Sequence, residues 1–175
     1  SILPSGIEIS GIDDVIATEL EETGNTLEDN ALQKARFVAR KTGKSAFADD
    51  TGLEISVLNG APGVISARYA GNEKSAANNI AKVLSEMKGM TNRKARFRTV
   101  IAYVNGIEEQ LFEGTIDGQI SLAACGNSGF GYDPIFIPEN STKSFAEMTL
   151  EEKNSMSHRA RAFLKFAAYL KLNGS

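Results

Sequence analysis

The chain has 175 residues, 42% hydrophobic and 23% charged, which suits one domain, or one domain in two lobes, with a proper core. A net charge of -3 argues against the broad basic surface of a general nucleic-acid binder. A lone Cys125, no bilayer-spanning apolar run and no signal-like start in Ser1-Ile-Leu-Pro-Ser-Gly together suggest a soluble cytoplasmic protein with neither nucleic-acid nor membrane partners.

Short apolar alternations (Ile7, Ile9, Ile12) open the chain and run into an acidic patch, Glu19 to Glu22. A helix is expected next, capped by Thr26 with Asp29 three residues on. Leu27, Ala31, Ala35 and Val38 recur at helical spacing, and Gly43 is its stop. Ser45 to Ala48 reads as a short strand ending at Asp49-Asp50, and Glu54 to Leu58 as another, closed by the turn-rich Asn59-Gly-Ala-Pro-Gly63. Residues 75 to 88 read as a helix with Ala77, Ile80, Ala81, Leu84 and Met87 on one side.

The clearest strand is Arg96 to Val104, running into Asn105-Gly106 as a type I′ hairpin turn. Ile107 to Glu113 returns, and Thr115 to Ser121 gives a third strand. The glycine-rich loop Gly126-Asn-Ser-Gly-Phe-Gly-Tyr-Asp-Pro134 precedes a short strand, Ile135 to Ile137. Thr149 with Glu152 is a capping box for a helix, and a last helix from Ser157 to Leu172 turns Phe163, Leu164, Ala167 and Leu170 inward. Helices around strands that include hairpins imply an α/β fold with a mixed sheet.

Three stretches carry candidate chemistry. Asp49 and Asp50 are either an acidic turn or a Mg²⁺ site, since hard cations want carboxylate oxygens. Neighbours on a strand face opposite ways, so one of the pair should line a pocket and the other support it. Asp29, on a helical stripe with Gln33 and Arg36, is either a capping carboxylate or a further ligand. The glycine loop fits neither the Walker pattern nor the dinucleotide fingerprint. It is either a flexible turn or a grip for a flat heterocycle, with Phe130 and Tyr132 as faces and Asp133 as acceptor. Ser157-His158-Arg159 lies at a helix start, where dipole and donors suit anions and carbonyl oxygens, with Lys153 one turn upstream; otherwise it is a solvated basic helix end. Cys125 reads as a packed thiol.

Taken in order, Glu22-Thr-Gly-Asn-Thr-Leu-Glu-Asp-Asn-Ala-Leu-Gln-Lys-Ala35, FADDTGLEISVLNGAPGVISARYAG, ARFRTVIAY, GNSGFGYDPIF and MTLEEKNSMSHR resemble the inosine triphosphate pyrophosphatase family across nearly the whole chain. The resemblance implies a long mixed sheet with helices in two lobes around a nucleotide-binding cleft, normally in a homodimer. It implies Mg²⁺-dependent hydrolysis of inosine, deoxyinosine and xanthosine triphosphates to the monophosphate and pyrophosphate. Carried over by position, Asp50 is the catalytic proton acceptor and a metal ligand, with Asp29 and Asp49 as its acidic partners at the metal. Thr51, Phe130, Gly131, Tyr132, Asp133, Lys153, His158 and Arg159 contact the substrate. Donors such as Arg159 and His158 should favour a 6-oxo purine, and a hydrogen-bonded site can reject a mismatched edge by roughly 10⁴-fold.

One departure stands out. Family members begin with a strand and a Ser/Thr-x-Asn-x-x-Lys loop that cradles the triphosphate, and no such stretch occurs here; Thr23-Gly24-Asn25 mimics its opening, with Glu28 in the lysine's place. Truncation of the chain is the expected cause. The alternative is a purine-nucleotide-binding protein without catalysis, lacking that clamp.

Overall fold

The computed structural model describes residues 8–11, 22–106 and 108–173. Four helices and four strands follow in chain order among them: α1 (Leu27–Thr42), β1 (Ala46–Ile55), α2 (Ala76–Glu86), β2 (Lys94–Asn105), β3 (Glu108–Ile120), β4 (Phe136–Pro138), α3 (Leu150–Met156) and α4 (His158–Asn173). The α/β expectation holds. The strands lie in the sheet order β1-β2-β3-β4, and β4 runs antiparallel to β3 with Gly118 opposite Pro138 and Ile120 opposite Phe136. Gly118 has to be glycine there, because a Cβ would stand 2.4 Å from the Ile137 carbonyl oxygen.

Local chemistry explains the helix ends. The Thr26 side chain accepts from the Asp29 N–H at the start of α1, and Gly43 closes it in the left-handed region at φ 67. Thr149 and Glu152 form the reciprocal capping box of α3. The strands differ from expectation. β1 runs unbroken through Asp49-Asp50-Thr51, where two short strands were expected, and Ser56–Leu58 is a 3-10 turn. β3 passes through Gly114 without a break, and the hairpin turn follows Asn105, which ends β2. Pairing within a sheet outweighs the poor strand propensity of Asp and Gly.

The chain divides into two compact units. The first holds the described residues up to Asp50, then Thr99–Gly114 and α4 from Arg159; the second holds Thr51–Arg98 and Thr115–His158. In the first, Phe166 is buried and packs against Phe47, Tyr103 and Phe112 with ring centroids 5.0, 5.4 and 5.4 Å away. Burying a side chain of that size stabilises by about 1.5–3 kcal/mol. Leu164, expected inside, is exposed, because α4 turns the Ala162, Phe166, Leu170 stripe to the core. The second unit centres on Leu53, Ile55, Val83, Met87, Phe136 and Phe145. Its helix α2 buries Asn79 and Val83; of the expected stripe, Met87 just beyond the helix is buried and Ile80 and Leu84 pack half-buried against this core, whereas Ala77 and Ala81 lie exposed. No described helix is long and apolar enough to cross a membrane.

Candidate active site

The sequence places Asn30 and Lys34 four residues apart, so α1 presents both side chains on neighbouring turns of one face. They meet Asp50 from β1. Lys34 Nζ donates to Asp50 Oδ1 at 2.8 Å and to Glu22 Oε1 at 2.8 Å. Asn30 Nδ2 donates to Asp50 Oδ2 at 3.4 Å. One ammonium therefore serves two carboxylates.

The electrostatics follow from burial and from that sharing. Burial raises the Asp50 carboxyl above its ordinary value; Lys34 pulls it down, the nearby Glu22 charge pushes it up, and the net direction is upward. Burial alone would lower the Lys34 ammonium, but hydrogen bonds and attraction from Asp50 and Glu22 outweigh it and hold it above its usual value. A cation with open coordination positions would relieve the first strain.

Strand alternation separates the acidic pair as anticipated. The Asp50 side chain is 12% exposed, whereas that of Asp49 is 46% exposed and points to Arg159, whose Nε lies 3.4 Å from Asp49 Oδ2. Asp29 is exposed at the start of α1, and its charge acts on Arg36, which is paired with Glu109. Asp29, Asp49 and Asp50, expected at one cation, are not gathered into one cluster: among the described residues no three acidic, His or Cys side chains form a group able to hold a metal ion. Asp29 leans away because its helix turns that stripe outward, and Asp49 because the pleat sends it to the other face. Glu22 shares the Lys34 ammonium with Asp50. The sequence reading placed it only in an acidic patch, and missed Lys34 and Asn30; the polar Asn30 between the buried Leu27 and Ala31 was the available signal.

The second unit holds the aromatic loop. Gly129 and Gly131 adopt left-handed backbone at φ 80 and φ 58, and a Cβ on Gly129 would collide with Asp133 Oδ2. That crowding comes from function within the loop. Asp133, 2% exposed, accepts from the Phe130 N–H at 2.8 Å and from Lys153 Nζ at 2.5 Å. Lys153 Nζ also lies 4.6 Å from the centre of the Phe130 ring, which is 61% exposed. Phe130 is thus exposed, with Gly131 half-buried beside it.

Four expectations change here. Tyr132 is no stacking face: it is buried in the core and its hydroxyl donates to the Ser66 carbonyl at 2.8 Å; burial, helped by nearby Tyr69 and Glu86, pushes its phenol well above the usual range. Asp133 is committed to the loop and Lys153, so it is no open acceptor. His158 is 4% exposed and stacks on Phe97 at 4.8 Å between centroids, so α4 starts on a packed ring and not on a solvated one. Cys125, expected to be packed, is exposed. Thr51, next after Asp50 on β1, is half-buried.

A sequence profile described as the Ham1 family matches residues 1–169. The chain is 48% identical over 171 residues to a dITP/XTP pyrophosphatase of Christiangramia forsetii, covering 97% of this chain and 90% of that protein. It is 47% identical over 171 residues to a dITP/XTP pyrophosphatase of Bacillus subtilis, covering 95% and 86% of the two. The solved structure of the Staphylococcus aureus Ham1 protein superimposes with a TM-score of 0.84 at 42% identity, covering 87% of this chain and 80% of that one.

Proposed function

The chain belongs to the Ham1 family, and on that premise we propose that it hydrolyses the non-standard purine nucleoside triphosphates ITP, dITP and XTP to the monophosphate and pyrophosphate. Such an activity clears deaminated purines from the nucleotide pool. The observation that carries the reading is the half-buried group around Asp50, in which two carboxylates, Asp50 and Glu22, share the Lys34 ammonium.

That donor set fits Mg²⁺, which is usually held by one or two carboxylates together with water and substrate phosphates. Asp50 and Glu22 would hold it. When bound, the ion supplies charge neutralisation for the phosphates and a more acidic water. Asp50 is the proton acceptor, and Lys34 and Asn30 fix its two oxygens so that one lone pair faces the water. Lys34, freed in part from Asp50, is placed to donate to a phosphate oxygen.

For the substrate, Phe130 offers its exposed face to the base, and Lys153, anchored on Asp133, sets a positive charge beside it. Thr51 and Gly131 contribute a hydroxyl and open backbone. Arg159, poised on Asp49, is the donor that favours a 6-oxo purine over adenine; His158 supports it by packing the start of α4. Tyr132 and Asp133 act by holding the loop. A cytoplasmic homodimer completes this reading, in keeping with the family resemblance and the single cysteine.

The test is pyrophosphate release from ITP, XTP and ATP with Mg²⁺. ITP and XTP should turn over well above ATP, and equal rates on all three would sink the proposal.

A further inference from the structure

We propose that Asn30 is a positioning residue that couples the Glu22–Gly24 segment to the Asp50 carboxylate, an inference that rests on the hydrolytic reading above. Asn30 is fully buried on the same face of α1 as Leu27 and Ala31, where an apolar side chain would pack without needing partners. Its amide instead uses both ends. The oxygen accepts from the Gly24 N–H at 2.8 Å, and the nitrogen donates to Asp50 Oδ2 at 3.4 Å. Only an amide supplies an acceptor and a donor from one short planar group.

The rest of the segment is built around this latch. Gln33, three residues on, accepts from the Thr23 N–H at 3.1 Å and donates to the Thr23 hydroxyl at 3.1 Å. A Cβ on Gly24 would stand 2.5 Å from Asn30 Oδ1, so the backbone approaches more closely than any side chain allows. Glu22, two residues before Gly24, then reaches the ammonium that Asp50 shares. Lys34 engages one Asp50 oxygen and Asn30 the other, which restrains rotation of the carboxylate. Asn30 thus sets both the distance from Glu22 to Asp50 and the direction in which Asp50 faces.

The experiment compares Asn30→Ala, Asn30→Asp and Asn79→Ala in the whole chain. Asn79 is a second buried asparagine, bonded to Ala70, Ser66 and Ala67 in the other unit, and serves as the control for loss of a buried amide. Asn30→Asp keeps the acceptor for Gly24 and loses the donor to Asp50. Both Asn30 variants should lose about 10- to 100-fold in kcat with nucleotide KM little changed, the size expected for partners that orient a ligating group. Asn30→Ala should also weaken Mg²⁺ binding, titrated calorimetrically without nucleotide, by about tenfold. Asn79→Ala should lower the melting temperature and leave kcat and Mg²⁺ affinity near wild type. If Asn30→Asp keeps full kcat, or if the Asn30 and Asn79 variants lose Mg²⁺ affinity alike in proportion to melting temperature, the latch is wrong. Should the wild type release no pyrophosphate at all, the hydrolytic reading fails by itself, and the calorimetric comparison still decides the latch.

Discussion

Two lysine–aspartate contacts, one in each unit, are similar in distance and opposite in design. Lys153 and Asp133 form a closed pair: one charge of each sign, side chains 13% and 3% exposed, with a backbone N–H taking up the same carboxylate oxygen. Lys34 is instead shared by two carboxylates, Asp50 and Glu22. The first arrangement is complete as folded and holds a loop. The second sets one ammonium between two carboxylates, and under the proposed function it is this group that takes up a further cation.

The largest expected effect comes from breaking the open group. Asp50→Asn keeps the shape but removes the proton acceptor, and should cut kcat by roughly 10²–10⁴-fold, measured as pyrophosphate release, without loss of the folded state. Breaking the closed pair should act chiefly on stability. Lys153→Met leaves Asp133 buried without its ammonium and should cost about 3–5 kcal/mol in chemical denaturation.

A pH series sharpens the contrast. The folded-state pKa of Asp50 is raised above 3.8, so without metal its proton is held more tightly in the folded protein. Asp50 therefore adds stability that is fully present below pH 3.8 and is lost as pH rises through the raised value. Asp50→Asn has no such dependence and should gain on the wild type as pH rises through that window. Parallel stability curves would show that Asp50 is not strained. Smaller still is Tyr132→Phe, which removes the hydroxyl bonded to Ser66 and should cost about 1 kcal/mol while leaving the preference for ITP over ATP unchanged. A changed preference would return Tyr132 to the base pocket. Phe130→Ala, at an exposed ring, should alter stability by less than about 0.5 kcal/mol and raise the KM for ITP.

Much of this was legible beforehand because it is written in local chemistry. Thr26 and Gly43 bound α1, and Thr149 with Glu152 starts α3, since caps depend only on near neighbours. The opposite facing of Asp49 and Asp50 follows from the two-residue period of a strand. What escaped depends on partners distant in sequence. β1 continues through two aspartates and a glycine because neighbouring backbone holds it there, against propensity. Tyr132 looks like a ligand platform among glycines, and only the fold reveals that its hydroxyl reaches Ser66, far back in the chain. Glu22 and Asp29 are both acidic and both near the helix start; nothing local tells which one turns toward Asp50. The helix phase decides it, and Asn30 and Lys34 mark that phase.

The most direct test of the account is calorimetric titration of Mg²⁺ into the nucleotide-free wild type and into Glu22→Gln. If Glu22 and Asp50 together hold the cation, the variant should bind about 10-fold or more weakly, since one of two ligating charges is gone. Equal affinities would contradict the central claim that the shared ammonium marks a cation site.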